Sequence, residues 1–137
     1  MNSMDRKTKY IISFLIVCFS IFYYGKYRCN HPRFKDPLER QYGMGLDGWS
    51  MSHFLFFLFL GYTFPDYIVI SFLFGVTWEL FEHYYGKKRP GWLGGYGDCK
   101  MITDRTDGNW WYGKGSDILL NGLGLVIGFY LQDTYSN

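Results

Sequence analysis

Four apolar blocks separated by polar segments constrain this chain of 137 residues more than any other feature. The blocks cover residues 10–24, 49–64, 66–85 and 116–132. Each holds about 15–20 residues, close to the roughly 20 that an α-helix needs to cross the hydrocarbon core of a bilayer. Tyr and Trp side chains stand at the block ends, as is typical of a membrane interface. The pattern predicts a single all-α membrane domain over residues 1–137, a bundle of about four transmembrane helices.

Most basic residues fall in the polar loops that this division leaves, at 25–48 and 86–115. The positive-inside tendency places both loops in the cytosol, whereas a basic N-terminal segment favours the opposite orientation. A net charge of +2 is too small to suggest a nucleic-acid partner, and the basic loops instead suit anionic lipid headgroups. We therefore expect a multi-pass integral membrane protein. The sequence leaves its orientation, membrane system and oligomeric state open.

The first apolar block has an alternative interpretation as a secretory signal, because Arg6, Lys7 and Lys9 precede its apolar core. No small-x-small cleavage site follows, since the chain runs on through Phe22 and Tyr23. A retained helix is therefore favoured over a cleaved signal.

The third block ends in acidic residues, in the run Trp-Glu-Leu-Phe-Glu-His over residues 78–83. A charge at the centre of a bilayer costs roughly 2.5–3.5 kcal/mol on insertion scales, so such residues are rare there without a role. Glu79 and Glu82 are three residues apart and share one helix face. Two carboxylates that close repel each other unless a cation or a shared proton lies between them. The spacing predicts a paired or ligating role for Glu79, whereas Glu82 and His83 could simply be solvated at the headgroup level.

Polar residues also stand near the starts of the second and fourth helices, at His53, Asp117 and Asn121. Because consecutive spans alternate in direction, these two starts and the end of the third helix meet at one membrane face. We therefore expect His53, Asp117 and Asn121 to converge with Glu79 and Glu82. Further along the fourth helix, Gly124-x-x-x-Gly128 predicts a close approach of a neighbouring helix.

These motifs resemble a known family in combination. Ser52-His53-Phe54, the Trp-Glu-Leu-x-Glu of residues 78–82, Trp110-Trp111 and Asp117 are similar to the core of base-exchange phosphatidylserine synthases. Gly108 and Tyr112 stand where those synthases carry acids. The stretch Asp-x-x-x-Asn-x-x-Gly-x-x-x-Gly over residues 117–128 looks more like that of VanZ-like membrane proteins. The resemblance covers about residues 49–131.

The synthase resemblance implies a phosphatidyltransferase that exchanges phospholipid headgroups, with a phospholipid and a small alcohol such as serine as partners. His53 would act as the base, because imidazole titrates near neutral pH. Glu79, Glu82 and Asp117 would hold a divalent cation, Ca²⁺ or Mg²⁺, since hard oxygen ligands suit both ions. Asn121 would orient a ligand or a substrate oxygen.

Two other functions stay open at this point. A VanZ-like protein would bind a lipid or glycolipid headgroup without catalysis and without a cation. An ion or proton pathway is a third option, because acids within a membrane also serve that purpose. Four short helices with one cluster of polar residues fit a pocket better than a pore.

Overall fold

The computed structural model describes residues 5–31, 33–88 and 113–136, which are mostly helical. Four helices follow one another, and they confirm the all-α prediction: α1 Arg6–Asn30, α2 Gly48–Thr63, α3 Ile68–Lys88 and α4 Gly115–Ser136. Short 3-10 turns cover Pro37–Glu39 and Pro65–Tyr67. A small antiparallel hairpin, β1 Gln41–Gly43 with β2 Leu46–Asp47, lies between α1 and α2.

The expectation of a polar loop over 25–48 is wrong in part, because helix and hairpin occupy much of it. Helix α1 runs through Gly25 and continues to Asn30, because no proline follows the apolar block until Pro32. The hairpin turns at Met44 and Gly45, whose φ angles of 52° and 74° are those of the turn that matches the twist of two paired strands.

Aspartates cap the first two helices. The Asp5 carboxylate accepts from the amide of Thr8 at 2.6 Å, and Asp47 accepts from the amide of Ser50 at 2.9 Å. The hydrogen bond from Thr8 holds the pKa of Asp5 below its usual value.

Helices α2 and α4 run parallel and make the most extensive helix contact in the described chain. Close packing requires glycine here: a Cβ on Gly124 would meet the carbonyl of Phe54, and one on Gly128 would meet the carbonyl of Leu58. The predicted close approach at Gly124-x-x-x-Gly128 is thus confirmed. On the α2 side, a Cβ on Gly61 would meet the backbone of Leu125.

Helix α1 runs opposite to α2, and α3 turns back from α2 at 117°. At one end of the bundle, Arg6 near the start of α1 pairs with Asp66 at 2.8 Å, and Tyr10 hydrogen-bonds Ser71 of α3 at 2.9 Å. Tyr10 and Phe14 also belong to the buried core, together with Leu60 and other apolar residues of α2 and α4. The preference for a retained helix over a cleaved signal stays a prediction, because a signal sequence near the N-terminus gives a long apolar helix of the same kind.

One described helix is long and apolar enough to cross a membrane, over Arg6–Arg28. Helix α2 and the segment Pro65–Gly86 pass the same test as a pair, but they are bent by 117° at the break between them. The number of candidate spans among the described residues is therefore one, or two if the bent pair is one span. The prediction of four spans stays a prediction.

A buried ion-pair network fixes the far end of α1 against α2. Arg28 is 2% exposed and donates to Asp36 at 2.8 Å and to Glu39 at 3.0 Å. The Asp36 carboxylate also accepts from the Tyr24 hydroxyl at 2.7 Å and from Nε1 of Trp49 at 2.9 Å. The expectation that the basic loop residues meet lipid headgroups is therefore wrong for Arg28, because two carboxylates eleven or fewer residues away neutralise it inside the protein.

Candidate functional site

The site lies where the starts of α2 and α4 meet the end of α3. Helix α2 begins after its Asp47 cap, and His53 stands about one turn further, on the face that looks into the bundle. Glu79 of α3 is 3% exposed, and its Oε1 lies 3.5 Å from Nδ1 of His53. Its other oxygen, Oε2, accepts from the backbone amide of Lys114 at 2.8 Å. Three helices thus contribute to one buried polar centre.

His53, Glu79 and Glu82 form the centre of this site. One ligand atom from each of the three side chains lies within 4.8 Å of the others. Atoms bound to a single ion lie at most two bond lengths apart, about 4–5 Å for bonds of ~2.0–2.6 Å. We therefore regard the three residues, named here the His-Glu-Glu cluster, as able to hold one divalent ion. The predicted meeting of α2 with the end of α3 is present in the structure.

Glu79 carries an orphaned acceptor. Its Oε1 is fully buried and has no hydrogen-bond partner among the described residues. Leaving a buried charged oxygen unpaired costs more than about 1–3 kcal/mol, so such atoms in native proteins call for an explanation. A cation or a ligand hydroxyl at this oxygen would provide one.

Asp117 lies beside the cluster and is not one of its three members. It is 3% exposed, and its Oδ1 accepts from the Ser50 hydroxyl at 2.6 Å and from the Ser116 hydroxyl at 3.3 Å. The three side chains that lie closest together are thus His53, Glu79 and Glu82, whereas the predicted ligand set was Glu79, Glu82 and Asp117. The reason is the register of the α2–α4 packing, which sets Asp117 opposite Ser50, three residues before His53.

Asn121 positions the imidazole of His53. It is fully buried, and its Oδ1 lies 3.1 Å from Nδ1 of His53. Since Glu79 Oε1 also lies on that side, both neighbours of Nδ1 are acceptors. This environment favours the tautomer that carries its proton on Nδ1, which leaves Nε2 free to accept a proton or bind a metal. Gly75 makes room for the amide: a Cβ there would lie 2.8 Å from Nδ2 of Asn121.

An ion pair between Asp47 and Lys114 joins the starts of α2 and α4, and it was not predicted from the sequence. Asp47 is fully buried and forms an ion pair with Nζ of Lys114, which also donates to the Gly45 carbonyl at 3.4 Å. The same lysine supplies the backbone amide that holds Glu79. The sequence signal available was the cap, an aspartate three residues before Ser50 at a helix start. Its pairing with Lys114, 67 residues later, has no local signature.

An apolar cavity of about 250 Å³ lies beside the cluster, between α1, α2 and α3. His53 and Glu82 both contribute to its wall. The site therefore combines charged groups with an apolar space, a combination typical of sites that bind small molecules.

The tryptophan pair Trp110-Trp111 and the rest of the segment 89–112 lie outside the described residues. Their predicted relation to the site is therefore not part of the geometry given above.

Comparison with known proteins gave no match among family models, curated proteins or solved structures.

Proposed function

We propose that this protein is a membrane-embedded phosphatidyltransferase that exchanges the headgroup of a phospholipid for another small alcohol, such as serine. The observation that carries the proposal is the placement of the His-Glu-Glu cluster at an apolar cavity between three helices. A phospholipid needs both environments, because its phosphate is charged and its chains are not.

The exposed surface supports a location within the bilayer. Helix α1 presents Leu15, Ile16 and Phe19 at 49%, 59% and 57% exposure, and α3 presents Val69 at 74%. Soluble monomers rarely expose continuous apolar faces of this kind, whereas lipid chains cover them in a membrane. In this proposal α2 and α4 also lie within the bilayer, so that the four helices form the membrane bundle.

His53 would serve as the general base. The contacts at Nδ1 leave Nε2 as the atom that can take a proton from an incoming hydroxyl. The oxygen of the incoming alcohol then forms a bond to phosphorus, and the bond from phosphorus to the departing headgroup oxygen breaks. His53 returns the proton to that departing oxygen. Asn121 holds the ring in place throughout, and general base catalysis of this kind contributes typically 10²–10⁴-fold.

Glu79 and Glu82 would hold a divalent cation, Ca²⁺ or Mg²⁺, with the buried and unpaired Oε1 of Glu79 as one donor. When bound, such an ion supplies positive charge where negative charge develops on the phosphate oxygens. Two carboxylates suit a hard ion that completes its shell with phosphate and water. Asp117 would not bind the ion; by accepting a hydrogen bond from Ser50, it would hold the start of α2 in register with α4.

The direct test is turnover by the purified protein in liposomes of mixed phospholipids, supplied with Ca²⁺ or Mg²⁺ and isotope-labelled serine. Mass spectrometry should find labelled phosphatidylserine with the wild type and none with Glu79→Gln or His53→Asn. Asp66→Asn is the matched control, because it makes the same carboxylate-to-amide change at an exposed site at the other end of the bundle. Activity of Glu79→Gln at the level of Asp66→Asn would refute the proposed role.

A non-enzymatic, VanZ-like function is the second candidate. Oε1 of Glu79, an acceptor, and Nδ2 of Asn121, a donor, are both buried and unpaired among the described residues, and both side chains lie beside Nδ1 of His53. Such a pair suits a hydroxyl-bearing lipid or glycolipid headgroup without any cation. Headgroup binding that survives chelation of divalent ions, with no product in the exchange assay, would favour this function.

A further inference from the structure

The cavity beside the His-Glu-Glu cluster has long apolar walls, which the exchange of a polar headgroup does not require. Its wall on α1 consists of Phe14, Val17, Cys18 and Ile21, and Ser20 also contributes to it. The first four are spaced i, i+3, i+4 and i+7, so they form one continuous helix face. This face is apolar over its whole length.

Helix α2 supplies the opposite wall by the same spacing. Trp49, Ser52 and His53 stand near its start, and Phe56 and Phe57 follow about one turn deeper. Eight residues separate Trp49 from Phe57, which is about 12 Å along a helix. The polar members are therefore all at one end, and the other end is aromatic.

Helix α3 forms the third wall of the cavity, and this wall is also polar at one end and aromatic at the other. Glu82 lies at the polar end, Trp78 is one turn deeper, and Phe74 is one turn deeper again. At the apolar end, the Phe14 ring lies 4.2 Å from the Phe74 ring and 5.4 Å from the Phe56 ring, measured between centroids. The cavity is thus elongated. The Glu82 carboxylate and the His53 imidazole lie at one end, and three phenylalanine side chains lie at the other.

We infer that this cavity binds one acyl chain of the phospholipid substrate, with the chain entering from the His-Glu-Glu cluster and its far carbons near Phe14 and Phe74. The inference rests on the proposed function, and it adds the part of the lipid that the enzyme recognises. The volume of about 250 Å³ is below the ~300–1,000 Å³ of sites for whole drug-sized ligands, so it fits part of one chain and not a complete diacyl lipid.

Water is a poor occupant of the deep part. A buried water needs about two to four polar partners, whereas the wall beyond Trp78 is formed by aromatic and aliphatic side chains. An acyl chain is a better occupant, because it has no polar group to leave unpaired and packs against these side chains through dispersion contacts. A chain seated here would also hold its phosphate at the cluster, because chain and phosphate are covalently joined.

The test uses the full chain in lipid nanodiscs doped with a phosphatidylcholine that carries a diazirine near the middle of one acyl chain. After irradiation, mass spectrometry maps the adducts. We expect adducts on the cavity wall, at Cys18, Phe14 or Phe74, in addition to adducts on the outer face of α1. Adducts confined to that outer face would overturn the inference.

Two neighbouring substitutions make the test specific. Cys18→Trp fills the cavity, whereas Phe19→Trp places the same side chain on the outer face of α1, where Phe19 is 57% exposed. We expect Cys18→Trp to lose at least nine-tenths of the cavity adducts while the outer-face adducts persist, and Phe19→Trp to keep both. Cavity adducts that are equal in the two variants would also overturn the inference. The wild-type map decides the question by itself if Cys18→Trp does not fold.

The labelling separates this inference from the proposed function. Glu79→Gln removes the proposed activity but leaves the cavity wall unchanged, so it should label like the wild type. If the wild type shows cavity adducts but no headgroup exchange, the cavity site stands and the enzyme proposal fails. If it shows exchange without cavity adducts, the enzyme proposal stands and the acyl-chain site fails.

Discussion

Replacement of Asp36 by asparagine should destabilise the protein more than any other single carboxylate-to-amide change outside the His-Glu-Glu cluster. The Asp36 side chain is fully buried, and each of its oxygens accepts two hydrogen bonds. Oδ2 accepts from Arg28 and Trp49, and Oδ1 accepts from Tyr24 and the amide of Leu38. In asparagine, one oxygen becomes an NH₂ group that faces two donors, whichever way the amide is turned.

The magnitude follows from these contacts. Two hydrogen bonds to a charged acceptor are lost, at about 1.5–3 kcal/mol each, which gives roughly 3–6 kcal/mol. Breaking a buried ion pair costs about 3–5 kcal/mol by mutational measurement, in agreement with that sum. Because Glu39 still pairs with Arg28, we expect the lower part of this range, about 3 kcal/mol. For a domain of this size, this corresponds to a fall in Tm of roughly 10 °C.

The assay is thermal unfolding in detergent followed by tryptophan fluorescence, to which Trp49 within the network contributes. Asp66→Asn is the control, because Asp66 pairs with Arg6 at the surface, where both side chains are more than half exposed. Such pairs are worth about 0–1 kcal/mol. If Asp36→Asn lowers the Tm no more than Asp66→Asn, the buried network does not stabilise the fold as described.

Two further predictions concern the contact between α2 and α4 and the ion pair between Asp47 and Lys114. Gly124→Ala should lower the Tm, because the added Cβ would meet the backbone of α2. Gly122→Ala should raise the Tm, since its Cβ makes only ordinary contact with a phenylalanine ring and alanine favours a helix by about 1 kcal/mol. Equal effects of the two changes on the Tm would contradict the described packing. Asp47→Asn keeps the cap of α2 but loses the ion pair with Lys114, so it should cost about 1–3 kcal/mol. Lys114→Met should lower the free energy of unfolding by a similar amount. The double variant should lose little more than either single variant, because both changes remove the same ion pair. Additive losses, measured by thermal unfolding, would contradict the pairing.

The helices were predictable because their signal is local. Each apolar block produced one helix, and the glycine spacing at Gly124 and Gly128 correctly indicated a close helix contact. The convergence of His53 with Glu79 also followed from sequence, because alternating helix directions bring the start of one helix to the end of the next.

The parts that sequence reasoning missed depend on packing register and on distant partners. Arg28 was assigned to a loop that meets lipid headgroups because it is a basic residue in a polar segment. The sequence gives no sign of its buried ion pairs with Asp36 and Glu39. Asp117 was placed among the metal ligands because its carboxylate stands at the start of the fourth helix, where the end of the third was expected to meet it. The register of α4 against α2 instead gives it Ser50 as a partner, and only the packed structure fixes that register.

The most direct test of the central claim, that Glu79 and Glu82 hold one divalent ion beside His53, is the metal content of the purified protein. Elemental mass spectrometry after dialysis against Ca²⁺ or Mg²⁺ should find about one ion per chain in the wild type and in Asp66→Asn. Glu79→Gln and Glu82→Gln should each lose it while keeping the wild-type elution profile. A wild-type protein that binds no ion, or a Glu79→Gln variant that binds as much as the wild type, would contradict the metal-site account.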